Sequence, residues 1–186
     1  MTYSEEFSRF GAGVRFGDLP ASTAEAAKRH LLDIIGVGLI GSRQEMAQRS
    51  LEGVSTIPGS QGKCRVWGRE ETLAPPYAAM VNGVASHVLD FDDTHTYSIT
   101  HGSAILGPTV LALGQMLNSS GADVIAAFVV GWEVIARVGL ASRGTFHKRG
   151  FHTTSIAGIF GATAAAAKLL GLTQTETSHA LGLAGS

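Results

Sequence analysis

The chemistry available to this chain is concentrated in its histidines. Five of the seven fall in two short windows, His87, His95 and His101 in the first and His147 and His152 in the second. The first window also places Asp90, Asp92, Asp93 and Thr94 within the twelve residues that end at His101. Carboxylates this close repel one another unless something compensates, and such a cost often marks a functional site. Imidazoles titrate near neutral pH, so His101 and a second histidine suit proton transfer, with an aspartate to orient a ring or bind a substrate hydroxyl. A metal is one rival. Carboxylate and imidazole suit Mg²⁺, Mn²⁺ or Zn²⁺, but no EF-hand spacing, HExxH or cysteine pair is present, and no metal is assigned. The other rival is an Asp/Thr-rich helix cap whose side chains bond local amides. The residues alone leave cap and catalysis both open.

The second window, Arg143 to Ser155, brings basic and glycine residues to the start of an apolar segment. A helix beginning near Thr153 places free amides and a positive dipole end beside His152, which favours an anionic ligand such as a carboxylate. His147, Lys148 and Arg149 read as a solvated loop, and His152 equally as a partly buried ring with one satisfied nitrogen. His30, His87 and His179 stand alone at helical positions and are assigned packing or surface roles.

Helices must position these windows. Ser22 with Glu25, Ser42 with Glu45 and Thr173 with Glu176 match the Ser/Thr-x-x-Glu pattern and predict capping boxes. Apolar residues at helical spacing from Ala26 to Gly38 predict a buried helix closed by Gly41 as a left-handed cap. A short helix over 43–54 follows, then a turn at Pro58-Gly59. The alternation of Cys64 and Val66 marks the one plausible strand, in a hairpin. Helices are expected over 74–89, with Pro75 and Pro76 tolerated in the first turn, and over 105–117, 124–140 and 154–170, before the last one at Thr173. The glycines, 24 in number, are scattered among alanine and leucine rather than gathered in a linker, as close helix packing requires. The fold class is mainly α, with at most one short β-hairpin.

Composition excludes several function classes. With 14 basic and 15 acidic residues and a net charge of -1, nothing neutralises a phosphate backbone, so nucleic acid is not an expected partner. A single cysteine, Cys64, excludes an internal disulfide and an iron–sulfur cluster held by several thiolates of this chain. The acidic start and interrupted apolar runs predict no signal peptide and no membrane span, and cytoplasmic localisation is the expectation. No GxGxxG, Walker A or GxSxG pattern supports nucleotide binding or nucleophile-elbow hydrolysis.

The order of motifs is informative: Gly83-Val84-Ala85-Ser86-His87-Val88-Leu89-Asp90-Phe91-Asp92-Asp93-Thr94-His95, then His101-Gly102-Ser103, Gly131-Trp132-Glu133-Val134, Gly150-Phe151-His152 and the glycines from Gly158 to Gly171. This sequence resembles the MmgE/PrpD family from about Ser22 onward. The DFDDT run with the downstream His-x-Ser and Phe-His pairs is its most specific part. The resemblance implies a lyase-type enzyme of small di- and tricarboxylates, as in 2-methylcitrate dehydratase, cis-aconitate decarboxylase and iminodisuccinate epimerase, with no metal or organic cofactor. It implies His101 and His152 as proton-transfer residues and Asp90 and Thr94 as substrate-lining ones, with Asp92 and Asp93 shaping the loop. Gly102 replaces a proline of many members, which is expected to loosen the loop backbone.

The first expected reaction is dehydration of a 2-methylcitrate-like hydroxy acid; decarboxylation of the cis-aconitate type and epimerisation are alternatives. Family members are more than twice as long, with an α+β lid domain and a lysine-bearing segment further on, so residues 1–186 are expected to be a truncated part of the N-terminal helical domain. A homodimer or a complementing chain is the expected partner besides the carboxylate. A non-catalytic helical remnant or a split subunit is the contrasting expectation.

Overall fold

The computed structural model describes residues 2–186, which form a helical bundle with one small sheet. In chain order the elements are α1 (Tyr3–Gly13), a 3₁₀ turn (Phe16–Asp18), α2 (Ala21–Gly41), α3 (Glu45–Ser55), β1 (Gln61–Arg65), β2 (Thr72–Leu73), α4 (Pro75–His87), α5 (Gly102–Leu117), α6 (Gly121–Ser142), α7 (Thr145–Lys148), α8 (Thr153–Leu169) and α9 (Gln174–Ala184). The mainly α expectation holds, and the hairpin is where the Cys64 alternation places it. Helices α1 and α7 were not anticipated, the first because its start is signalled only by the Thr2–Glu5 capping box, the second because four residues carry no periodicity.

The core forms where α5, α6 and α8 meet α2, around Leu31, Leu106, Val110, Phe128, Ile135 and Ala165. Helices α6 and α8 pack most extensively. Their backbones touch at Gly131 and Gly161, where a β-carbon on either would come within 2.9–3.0 Å of the other's carbonyl oxygen. Glycine at both positions therefore lets the α8 N-terminus lie close to the loop before α5. Helix α6 is long and apolar enough to cross a membrane by length and composition, but half of its most apolar stretch is buried inside this bundle, as in a core helix.

The antiparallel hairpin is pinned to α4 by Asn82, whose Oδ1 accepts from the Trp67 amide at 2.9 Å and whose Nδ2 donates to the Arg65 carbonyl at 3.0 Å. Beneath it Cys64 is buried and donates to the Ala112 carbonyl at 3.2 Å. Burial pushes its thiol above the ordinary range, and only the thiolate attacks disulfide reagents. The native protein is therefore expected to resist such a reagent at neutral pH and to release one reactive thiol on unfolding. Rapid labelling of the native protein would contradict the packing described.

Helix starts correct the sequence expectations. Of the three predicted capping boxes only Thr173–Glu176 forms. Ser22 lies inside α2, which begins behind Pro20. Ser42 ends α2 with its hydroxyl donating to the Leu39 carbonyl at 2.9 Å, so it is not available to cap α3, which starts behind Gln44. Gly41 is the last helical residue of α2, and the C-cap Ser42 is right-handed.

Candidate active site

Both histidines singled out as proton-transfer residues occupy N-cap positions, His101 before α5 and His152 before α8, and neither caps its helix with its side chain. At α5 that task passes to Asp93, whose Oδ1 accepts from the Ser103 amide at 3.1 Å and whose other oxygen accepts from the Ser103 hydroxyl. At α8 the amides of Thr153 and Thr154 find no acceptor among the described residues. An N-terminus with free amides and the positive end of the helix dipole suits a carboxylate. The two helix starts are tied together, because the His101 amide donates to Thr154 Oγ1 at 3.0 Å. That bond brings the imidazoles into a near-parallel arrangement, 6.1 Å between centroids and 23° between planes.

Asp92 organises the ring positions. Its side chain is fully buried and lies 2.9–3.0 Å from His87 Nδ1 and 3.5 Å from His101 Nδ1, and Thr94 Oγ1 is 3.3 Å from the same His101 nitrogen. A carboxylate only accepts, so Nδ1 of His87 carries the proton in this arrangement and Nε2 is left as the free nitrogen. Asp90 adopts a left-handed backbone with φ 54°, which aspartate tolerates, and its carboxylate joins His87, Asp92 and His101 in a group whose ligand atoms all lie within 4.8 Å. This donor set is chemically able to hold a divalent metal, a cluster that sequence spacing did not suggest.

His152 is the ring whose protonation the surroundings resist. The residue is exposed rather than partly buried, yet desolvation by the groups packed around its ring, then repulsion from His87, His147 and His101, hold its pKa below the ordinary 6.5, with Asp90 opposing. His152 is therefore a neutral base at neutral pH. A folded-state pKa below the unfolded one means that the unfolded chain binds the proton more readily. Stability is expected to fall as pH drops from above 6.5 toward the folded value, then to level off. Thermal midpoints of His152→Asn between about pH 5 and 8 should lose that part of the acid slope; an unchanged slope would assign it elsewhere.

The four residues named from sequence thus meet in one place, but three neighbours were misassigned. His87 is not an isolated helix residue: its ring lies 5.0 Å from that of His101 and 6.0 Å from that of His152. The available signal was its position five residues before Asp92, in the last turn of α4. His147 is exposed, as are Lys148 and Arg149, but it lies in α7 rather than in a loop, with Nδ1 3.0 Å from Thr153 Oγ1 and its ring 5.6 Å from His152. His30, 57 residues before His87 in the chain, lies 2.6 Å from Asp93 Oδ2. Asp92 and Asp93 therefore do more than shape the loop, as one holds rings on the His101 side and the other caps α5 and holds His30. His179 is exposed, as expected. His95 bonds locally to Ser98 at 2.7 Å.

Gly102 is buried as the first residue of α5, and its α-carbon is covered by the indole of Trp132.

A cleft of about 560 Å³ opens beside this cluster, bordered by Met80, Gly83, His87, Ile105, His152 and Thr154. It offers an apolar wall, two imidazoles and the start of α8, the elements expected of a small-anion site.

The chain is 37% identical over 189 residues to cis-aconitate decarboxylase of Homo sapiens, covering 98% of this chain and 39% of that protein. It is 38% identical to the Mus musculus cis-aconitate decarboxylase, covering 98% and 38%, and 31% identical to that of Aspergillus terreus, covering 97% and 38%. The chain therefore spans less than two fifths of the length of these relatives. The MmgE/PrpD N-terminal domain matches residues 5–186, and with motif order, helical architecture and long relatives in accord, the chain belongs to the MmgE/PrpD family.

Proposed function

We infer that this domain carries the proton-transfer part of a site that decarboxylates a small unsaturated tricarboxylate of the cis-aconitate class. The observation that carries the reading is the pair of near-parallel N-cap imidazoles, His101 and His152, beside the uncapped start of α8. One substrate carboxylate would be held by the Thr153 and Thr154 amides. Breaking a C–CO₂ bond leaves an electron pair that delocalises into the conjugated carboxylate, and a proton must then reach carbon. An imidazolium supplies that proton while donors steady the developing charge. Asp90 and Thr94 do not line the cleft itself but stand beside His101, and their polar groups suit the remaining polar groups of the substrate. The other carboxylates of so small an anion are assigned to residues outside this domain, in keeping with the greater length of the relatives.

Dehydration of a 2-methylcitrate-like acid uses the same histidines, one as base at carbon and the other assisting hydroxyl departure. Decarboxylation ranks above it because the relatives compared above carry that name. The full-length protein, including the residues outside this domain, should be given cis-aconitate and 2-methylcitrate separately. Release of CO₂ from the first supports the proposal; growth of an unsaturated acid from the second alone transfers it to dehydration. Absence of turnover and of binding for both would favour a non-catalytic helical role.

A further inference from the structure

We propose that Trp132 of α6 is a positioning residue for His101, acting through Gly102, so that residues 102 and 132 form a matched pair. The proposal rests on the reading of His101 as a proton-transfer group. Gly102 directly follows His101 and opens α5. Its backbone is not in the left-handed region, so conformation alone would admit alanine, and proline is favoured at a first helical position. Space is what excludes both. A β-carbon on Gly102 would meet three atoms of the Trp132 six-membered ring, with Cζ2 closest and Cη2 and Cε2 at 2.5 and 2.7 Å. No other residue intrudes among those nearest atoms.

The indole is itself held by shape. Its Nε1 is buried with no acceptor among the described residues, so no hydrogen bond fixes the ring. It lies instead between the rings of His30 and His95, at 6.1 and 6.4 Å between centroids, and against Gly102. A rigid plane is thus pressed onto the α-carbon next to His101, whose amide is anchored on the other side to Thr154. Together these contacts set the backbone angle from which the His101 ring leaves the chain. Trp132 reaches His101 through Gly102, and its effect passes through the backbone.

The test is a four-member set: the wild-type protein, Gly102→Ala, Trp132→Val and the double variant. In the wild-type background the added methyl overfills the contact and should lower the thermal midpoint by about 5 °C or more. In the Trp132→Val background the same methyl enters vacated space and should leave the midpoint level or raise it. NMR of the histidine rings supplies a readout that general destabilisation would not move. The His101 ring signals should shift in Gly102→Ala while those of His179 stay in place, and should return toward wild-type positions in the double variant. An equal loss of midpoint in both backgrounds, or His101 signals unmoved by Gly102→Ala, would overturn the proposal. Should Gly102→Ala fail to fold, comparison of Trp132→Val with the double variant decides alone: a lower midpoint or displaced His101 signals in the double variant overturn it.

Turnover separates the two claims. A closed NMR and stability cycle in a protein inactive on both acids would leave the positioning role standing and remove the proposed function. Loss of turnover in His101→Ala, with wild-type turnover and His101 signals in Gly102→Ala, would do the reverse.

Discussion

Alanine at His101 or at His152 lowers turnover by about 100-fold or more, the usual contribution of a positioned proton-transfer group. The expectation follows from where the rings stand. Each begins a helix, each lies beside the cleft or its uncapped amides, and the two face one another at 6.1 Å. The loss should appear in kcat more than in KM, because neither ring is assigned the main hold on a substrate carboxylate. Their pH profiles should differ as well. His152 is held neutral by desolvation and by its histidine neighbours, so its variants should lose a limb on which activity rises as a base is freed if the reaction is dehydration, whereas decarboxylation, which only delivers a proton to carbon, has no such limb. His179→Ala, on the exposed face of α9, is the control and should be indistinguishable from wild type. Near-normal turnover in both active-site variants would remove the acid–base assignment.

The second large effect concerns folding. A β-carbon at Gly41 would collide with the Ala85 carbonyl oxygen of α4 and lie 3.0 Å from Val88 Cγ1. The obstacle is backbone in a packed helix and cannot swing aside. Gly41→Ala is therefore expected at the severe end of overpacking, about 3 kcal/mol or more, a fall of roughly 6–12 °C in thermal midpoint for a domain of this size. Gly36 lies five residues earlier on the same helix, with nothing within 4 Å of its would-be β-carbon. Gly36→Ala should instead stabilise by about 0.5–1 kcal/mol, since alanine is the better helix former. Opposite signs for one chemical change on one helix would establish that Gly41 is kept for the α2–α4 approach. That approach bears on the site, because α4 ends at His87. Equal effects at both positions would refute this reading.

Local signals accounted for much of the fold. Apolar spacing placed α2, α4, α5, α6 and α8 to within a few residues, since a helix that buries one face must repeat its apolar residues every three or four positions. Capping was less legible. Ser22 and Ser42 match the capping pattern, but Pro20 already starts α2 and the Ser42 hydroxyl is spent on the Leu39 carbonyl. A pattern states what a side chain can bond, and the tertiary environment decides what it does bond.

The candidate site divides in the same way. The sequence by itself determined the helical class and the family resemblance; dense carboxylates and imidazoles in short windows are visible without a fold, and it was the resemblance that singled out Asp90, Thr94, His101 and His152 among them. Only the tertiary structure decided that His87 shares Asp92 with His101, that Asp93 pairs with His30 and that Trp132 occupies the space over Gly102. These contacts join residues of α2, α4, α5 and α6 with the loop 88–101, brought together by the packing of those helices and by the return of that loop over the bundle. No local spacing encodes that packing, which depends on which apolar faces find one another when the core closes.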